Sequence, residues 1–179
     1  MTNRFTAQDR PVEYLFSRTE FRALFHVNPP QRKYRWKIKQ LNDLWEDLLR
    51  AKVGQPFCYL GPITVTQTRG EGDDAATDII DGQQRLTSVS ILISAMRNRL
   101  LEISVDIQSP ELKSQVVAFT TTLDDLISRH NSTGGHIGTV INLYPSDHGS
   151  YSAYVVAKLG DSGFCPPTKS YPSAGKGKN

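Results

Sequence analysis

The sequence predicts an α+β fold, and three observations carry that prediction. Apolar residues recur at three- and four-residue intervals over 37–52 and again from Gln83 onward, the period of amphipathic helices. Short apolar or alternating runs around Phe25, Ile63 and Ile79 are bounded by Gly, Pro and Asn, as strands are. After Glu102 the pattern becomes mainly helical.

In chain order, residues 1–10 are polar, and Val12–Phe16 is compatible with a short strand or a helical turn. Phe21, Ala23, Phe25 and Val27 alternate with Arg22, Leu24 and His26, which predicts a half-buried strand stopped by Asn28-Pro29-Pro30. Ile38, Leu41, Leu44, Trp45, Leu48 and Leu49 predict an amphipathic helix over 37–52, with Lys39, Asn42, Asp43 and Glu46 outward and Gly54 at its end. Residues 59–67 and 77–81 read as a strand pair joined by a polar, glycine-containing connection. In that connection Asp73-Asp74 reads as a solvated loop tip rather than a metal site.

Leu86, Val89, Leu92, Ile93, Met96 and Leu100 supply the apolar stripe of a helix that begins at Gln83, with Arg97 and Arg99 near its end, where cations suit the dipole. Ser109-Pro110-Glu111 is a helix start, followed by a face of Leu112, Val116, Phe119, Leu123, Leu126 and Ile127. A turn over 131–135, strand character over 137–144, and a last helix over 147–159 closed by Gly160, with Tyr151, Tyr154 and Val155 inward, complete the ordered part. From Asp161 the composition shifts to Gly, Pro, Ser and Lys. The expected division is 1–104, a mainly helical extension over 105–160, and a flexible tail over 161–179.

Function concentrates at the junction Thr77-Asp78-Ile79-Ile80-Asp81-Gly82-Gln83-Gln84-Arg85-Leu86-Thr87-Ser88, a buried strand, a one-glycine turn and a helix start. The first amides of a helix lack intrahelical acceptors and sit at the positive end of its dipole, so anions bind there. A structural reading competes, because Asp81 and Gln84 have the spacing of a capping box. A cap needs neither Gln83 nor Arg85, and a second Gln-Arg pair stands upstream in Pro30-Gln31-Arg32-Lys33-Tyr34-Arg35-Trp36. In that stretch cations interleave with aromatics, a platform for phosphate and base contacts, although Tyr34 and Trp36 read better as rings that anchor the loop.

On these residues, with Tyr59-Leu60-Gly61-Pro62-Ile63 between them, the chain resembles the N-terminal domain of GmrSD-type, modification-dependent restriction proteins, whose signatures are IPxYQRxYxW and DGQQRLTT. Order and spacing match over about residues 12–87, with a weaker continuation to about 159. The upstream signature is degraded, with Val27-Asn28-Pro29-Pro30 in place of its start, and Ser88 replaces a second Thr. The resemblance implies a ParB/sulfiredoxin-like small mixed sheet with packed helices, followed by a mostly helical extension. It further implies a pocket that binds and hydrolyses a nucleoside triphosphate, with Mg²⁺ as a candidate companion. Asp81, Gln83, Gln84 and Arg85 are then the catalytic candidates, and Gln31, Arg32, Gly82, Arg85 and Thr87 the phosphate-binding ones. Lys33, Tyr34 and Arg35 are candidates for nucleic-acid contact, and Asp81 is the one candidate metal ligand. Arg85 and Arg32 would neutralise phosphates, Gln83 and Gln84 orient phosphate oxygens or water, and Asp81 act as base or hold a metal.

The chain as a whole sets the bounds. With 179 residues, 38% hydrophobic and 22% charged, it is long enough for a proper core and not disordered in composition. A net charge of +3 permits contact with DNA without demanding it. Two isolated cysteines, Cys58 and Cys165, and no secretory segment point to a reducing cytoplasm, and no apolar run spans a bilayer. There is no Gly-x-x-x-x-Gly-Lys-Ser/Thr, so a P-loop is excluded. His130-Asn131 and His136 are spaced too tightly for an HNH nuclease finger, so the expectation is an N-terminal part without its own nuclease domain, served by a nuclease domain or subunit in trans. Two other function classes stay open: a non-catalytic DNA-binding or modification-sensing module, and a docking domain for a separate nuclease.

Overall fold

The computed structural model describes residues 6–16, 24–27, 33–53, 59–66, 70, 76–130, 136–143 and 145–157. Gln31, Arg32, Asp73, Asp74, the turn expected at 131–135, both cysteines, Gly160 and the tail lie outside them. The fold is α+β: a small mixed sheet with helices packed against it.

The undecided segment at the start is a helix, α1 (Val12–Phe16), and the first strand is β1 (Leu24–His26). The alternation read there holds at Phe25 and Val27, which are buried while Leu24 and His26 are half-buried; Phe21, Arg22 and Ala23 lie outside the described residues. β2 (Thr64–Val65) and β3 (Ala76–Asp81) form the expected antiparallel pair, with a register shift between Thr64 and Val65. β6 (Ile141–Asn142) comes from the far half of the chain, and the sheet order is β2-β3-β1-β6. β1 runs parallel to both β3 and β6, with Phe25 opposite Thr77 and Ile141. A parallel strand inside a sheet is covered on both faces, and Thr77, Asp78 and Ile79 are accordingly all buried in succession.

α2 (Ile38–Val53) forms as its periodicity requires, but its apolar face is not sealed. Ile38, Leu41, Trp45 and Leu49 are exposed, and Leu41, Leu44, Trp45 and Leu48 wall a groove rather than a core. α3 (Gln83–Asp106) starts where expected and runs past residue 104 without a break. Its inward face differs from the expected stripe: Leu86 and Val89 are buried, but Met96 is exposed. Gln83, Thr87, Ser90, Ser94 and Arg97, spaced four and three apart, make a buried polar line instead. Small hydroxyls there let α5 (Pro145–Val156) come close: Ser90 shares a 2.8 Å hydrogen bond with the Tyr151 hydroxyl, and Ser94 donates to the Val155 carbonyl at 3.4 Å.

Arg97 is a correction. Rather than a cation serving the dipole near the end of α3, it is 1% exposed and ion-paired with Asp124 of α4 (Pro110–Ile127). Its Nη2 also donates to the Ala157 carbonyl at 2.7 Å, just beyond α5, so one guanidinium ties three helices together. The start of α4 is as read, with Pro110 in its first turn and the Ser109 hydroxyl accepting from the Leu112 amide. Its face is not, because Leu112 and Phe119 point outward while Thr120, Leu123, Asp124 and Ile127 are buried. Tyr154 is likewise outward on α5, whereas Tyr151 and Val155 are inward as expected. β4 (Ser128–His130), which the sequence reading lacks, pairs antiparallel with β5 (His136–Thr139). Phe16, Phe25, Ile79, Ile127, Ile141, Tyr151 and Val155 meet in one core, drawn from both sides of residue 104. No helix among the described residues is long and apolar enough to cross a membrane.

Candidate functional site

β3 emerges from the sheet at its carboxyl end, where Ile80 and Asp81 become exposed, and Gly82 turns the chain directly into α3. Crevices beyond the carboxyl ends of parallel strands are where open α/β sheets hold ligands. Gly82 has φ 90° and ψ 3°, the left-handed region, and a Cβ there would stand 2.9 Å from Ile63 Cγ1. Glycine is therefore required by conformation and by space.

No capping box forms. The N-cap position is Gly82 itself, without a side-chain cap, and the Asp81 carboxylate accepts from the Gly82 amide at 2.8 Å instead of from the first turn. The first helical hydrogen bond is Leu86 N to Gly82 O at 3.0 Å. The amides of Gln83, Gln84 and Arg85 consequently have no intrahelical acceptor at the positive end of a 24-residue helix.

Four polar residues after the glycine, Gln83, Gln84, Arg85 and Thr87, divide the work. Gln83 is 6% exposed, and its amide makes no hydrogen bond among the described residues. One turn on, Thr87 is 1% exposed, and its hydroxyl also has no partner. An unsatisfied hydroxyl on the buried face of a helix start is costly, about 1–3 kcal/mol, unless something binds it. Gln84 faces the other way and holds the basic loop: its Oε1 accepts from the amides of Arg35 (2.7 Å) and Trp36 (3.3 Å), and its Nε2 donates to the Lys33 carbonyl (3.2 Å). Arg85 is half-buried, donating from Nη1 to the Pro62 carbonyl at 2.7 Å while its guanidinium lies flat against Gly61. Its remaining N–H groups have no other partner among the described residues.

The loop is pinned twice more. The Tyr34 hydroxyl bonds Ser88 Oγ at 2.8 Å, and the Tyr34 amide donates to Asp147 at 2.9 Å. Tyr34 thus serves as an anchor, half-buried, while Lys33, Arg35 and Lys37 are exposed with no ion-pair partner among the described residues. Asp147 is the residue sequence reasoning missed; an aspartate in the first turn of a helix reads locally as a dipole partner, and nothing local ties it to Tyr34. Gln31 and Arg32 lie outside the described residues. Among those described, no group of three or more His, Cys, Asp or Glu could hold a metal ion. Asp81 is an exposed carboxylate that belongs to no such group among the described residues.

A search of curated proteins finds no match to the chain. A family model, that of the GmrSD restriction endonuclease N-terminal domain, matches residues 12–147, from the start of α1 to the aspartate that holds Tyr34. With three-quarters of its length inside that match and both signature stretches locked together by Gln84, the chain belongs to the family of GmrSD restriction endonuclease N-terminal domains.

Proposed function

We propose that this domain binds a nucleoside triphosphate at the start of α3 and hydrolyses it, as the nucleotide-driven part of a modification-dependent DNA restriction system of the ParB/sulfiredoxin-like kind. The observation that carries the reading is the conjunction of three amides without intrahelical acceptors, the buried Gln83 side chain and the buried, unpartnered Thr87 hydroxyl at one helix end. All of these offer N–H or O–H donors, and phosphate oxygens are the acceptors that match them. Arg85, and Arg32 from the loop, supply positive charge to the transferring phosphoryl group. Gln83 orients the attacking water, and Gln84 acts at one remove by fixing the loop. Water adds to the terminal phosphorus, the bridging P–O bond breaks, diphosphate nucleotide leaves, and the water proton passes to Asp81 or bulk solvent. Mg²⁺ bound to the phosphates, with Asp81 as its protein ligand, would neutralise charge.

Phosphate release from each triphosphate, measured with and without Mg²⁺ and modified DNA, tests the reading. Release that falls about a hundredfold or more in a folded Arg85→Ala chain is the expected result. Full turnover by that variant contradicts the assignment. A second reading, duplex DNA contact, is favoured by the exposed row Lys33, Arg35 and Lys37, which has no ion-pair partner among the described residues. Three phosphate contacts give a log–log salt slope of about −2.7, lost step by step as each cation is replaced.

A further inference from the structure

The groove between α2 and α3 is unused by the chemistry above. It is about 200 Å³ in volume and runs over two turns of each helix, from Leu41 to Leu48 and from Ser88 to Ala95, about 10 Å of helix at 1.5 Å per residue. Its walls are apolar except for Ser88, whose hydroxyl is already engaged by Tyr34 and by the Gln84 carbonyl. Trp45, 49% exposed, offers the one aromatic face.

One end of the groove is cationic. Gln84 holds the Trp36 amide, two residues before α2 begins, so the two helices start at the same place and point their positive dipole ends there. The exposed Lys33, Arg35 and Lys37 lie along that start. Arg85 stands one turn before Ser88 on α3, its guanidinium held on the Pro62 carbonyl and against Gly61. From Gln84 to Ser88 the helix rises about 6 Å, roughly the span of a sugar between a phosphate and a base.

A slot with a positive end and an apolar, aromatic body complements a ligand with an anionic end and a flat apolar body. Its volume is below the roughly 300–1,000 Å³ of pockets that enclose whole small molecules, so it holds part of one. On the strength of the phosphate grip proposed above, we infer that this groove receives the base of the bound nucleotide, stacked on Trp45. Because no free hydrogen-bonding side chain among the described residues lines it, the base is held by contact and not read: purines and pyrimidines bind with affinities within about threefold of one another.

Calorimetric titration of the full chain, without Mg²⁺, with ATP, GTP, CTP, UTP and inorganic tripolyphosphate separates this from the phosphate reading. The expected result is that all four nucleotides bind at least about tenfold tighter than tripolyphosphate, and that Trp45→Ala removes this advantage while leaving tripolyphosphate binding unchanged. Ala95→Gln, which fills the groove from α3, has the same effect by a different route. Tripolyphosphate binding equal to nucleotide binding, or nucleotide affinity unmoved by both substitutions, overturns the base slot and leaves the phosphate site standing. Binding of none of the five ligands overturns both. Strong preference for one base overturns the unread slot, and so does a groove that serves a second copy of the chain, seen as Trp45-dependent dimerisation in sedimentation with nucleotide affinity unchanged.

Discussion

At the scale of single residues, the buried hydroxyl of Thr87 separates a binding site from a helix start that is merely tidy. A hydroxyl with no partner destabilises the free protein, so Thr87→Val, which keeps the shape, should raise stability by up to about 1 kcal/mol in chemical denaturation. The same change should weaken tripolyphosphate binding at least about fivefold, since a hydrogen bond to a charged oxygen is worth about 1.5–3 kcal/mol. Unchanged affinity would make the orphan hydroxyl a packing accident. Tyr151 supplies a pH prediction of known sign. Burial pushes its hydroxyl well above the ordinary value of 10.0, so the unfolded chain loses the proton first and the fold loses stability as pH rises past 10. Tyr151→Phe should flatten that alkaline decline, read from denaturation midpoints between pH 8 and 11. The candidate residues were legible because Asp81 to Arg85 crowd unusual polarity into a strand-to-helix turn. That Gln84 serves the loop while Gln83 is buried was not, since it depends on which way each side chain leaves the helix.

At the scale of elements, the junction between β3 and α3 depends on Gly82. Gly82→Ala should cost at least about 1–2 kcal/mol for the left-handed backbone alone, with the contact on Ile63 added to it. The loop that carries the upstream motif depends on Gln84 in a comparable way. Gln84→Ala frees the Arg35 amide, whose hydrogen exchange should quicken about fivefold or more, while amides deep in α3 hold their rates. Equal acceleration throughout would mean the whole domain had loosened. Helices α2, α3 and α4 were readable from periodicity and from the Ser109-Pro110 start. Their inward faces were less so, because apolar side chains were assigned to the core and polar ones to water. α3 inverts that rule along Gln83, Thr87, Ser90, Ser94 and Arg97, and α2 leaves Trp45 at a groove. The short strand β4 carries almost no local signal; β6 falls within the strand character read over 137–144, but its pairing with β1, more than a hundred residues away in the chain, was not legible.

At the scale of the whole molecule, the two halves of the sequence share one sheet and one core, and the Arg97–Asp124 pair is the polar fastening between them. Removing one member of a buried pair strands the other, so Asp124→Ala should cost about 3–5 kcal/mol in unfolding free energy. The partner lies 27 residues on, beyond any helical spacing, and that is why the sequence reads Arg97 only as a cation near a helix end. The same frame brings Asp147 to Tyr34 and so joins the far end of the matched family region to the basic loop. The central claim is that the open amides of α3 grip phosphate. Backbone amide resonances of Gln83, Gln84 and Arg85, followed during titration with tripolyphosphate, test it most directly. The account predicts that these three move first and furthest, saturating with the same affinity that calorimetry gives. Saturable binding that leaves all three unmoved would contradict it.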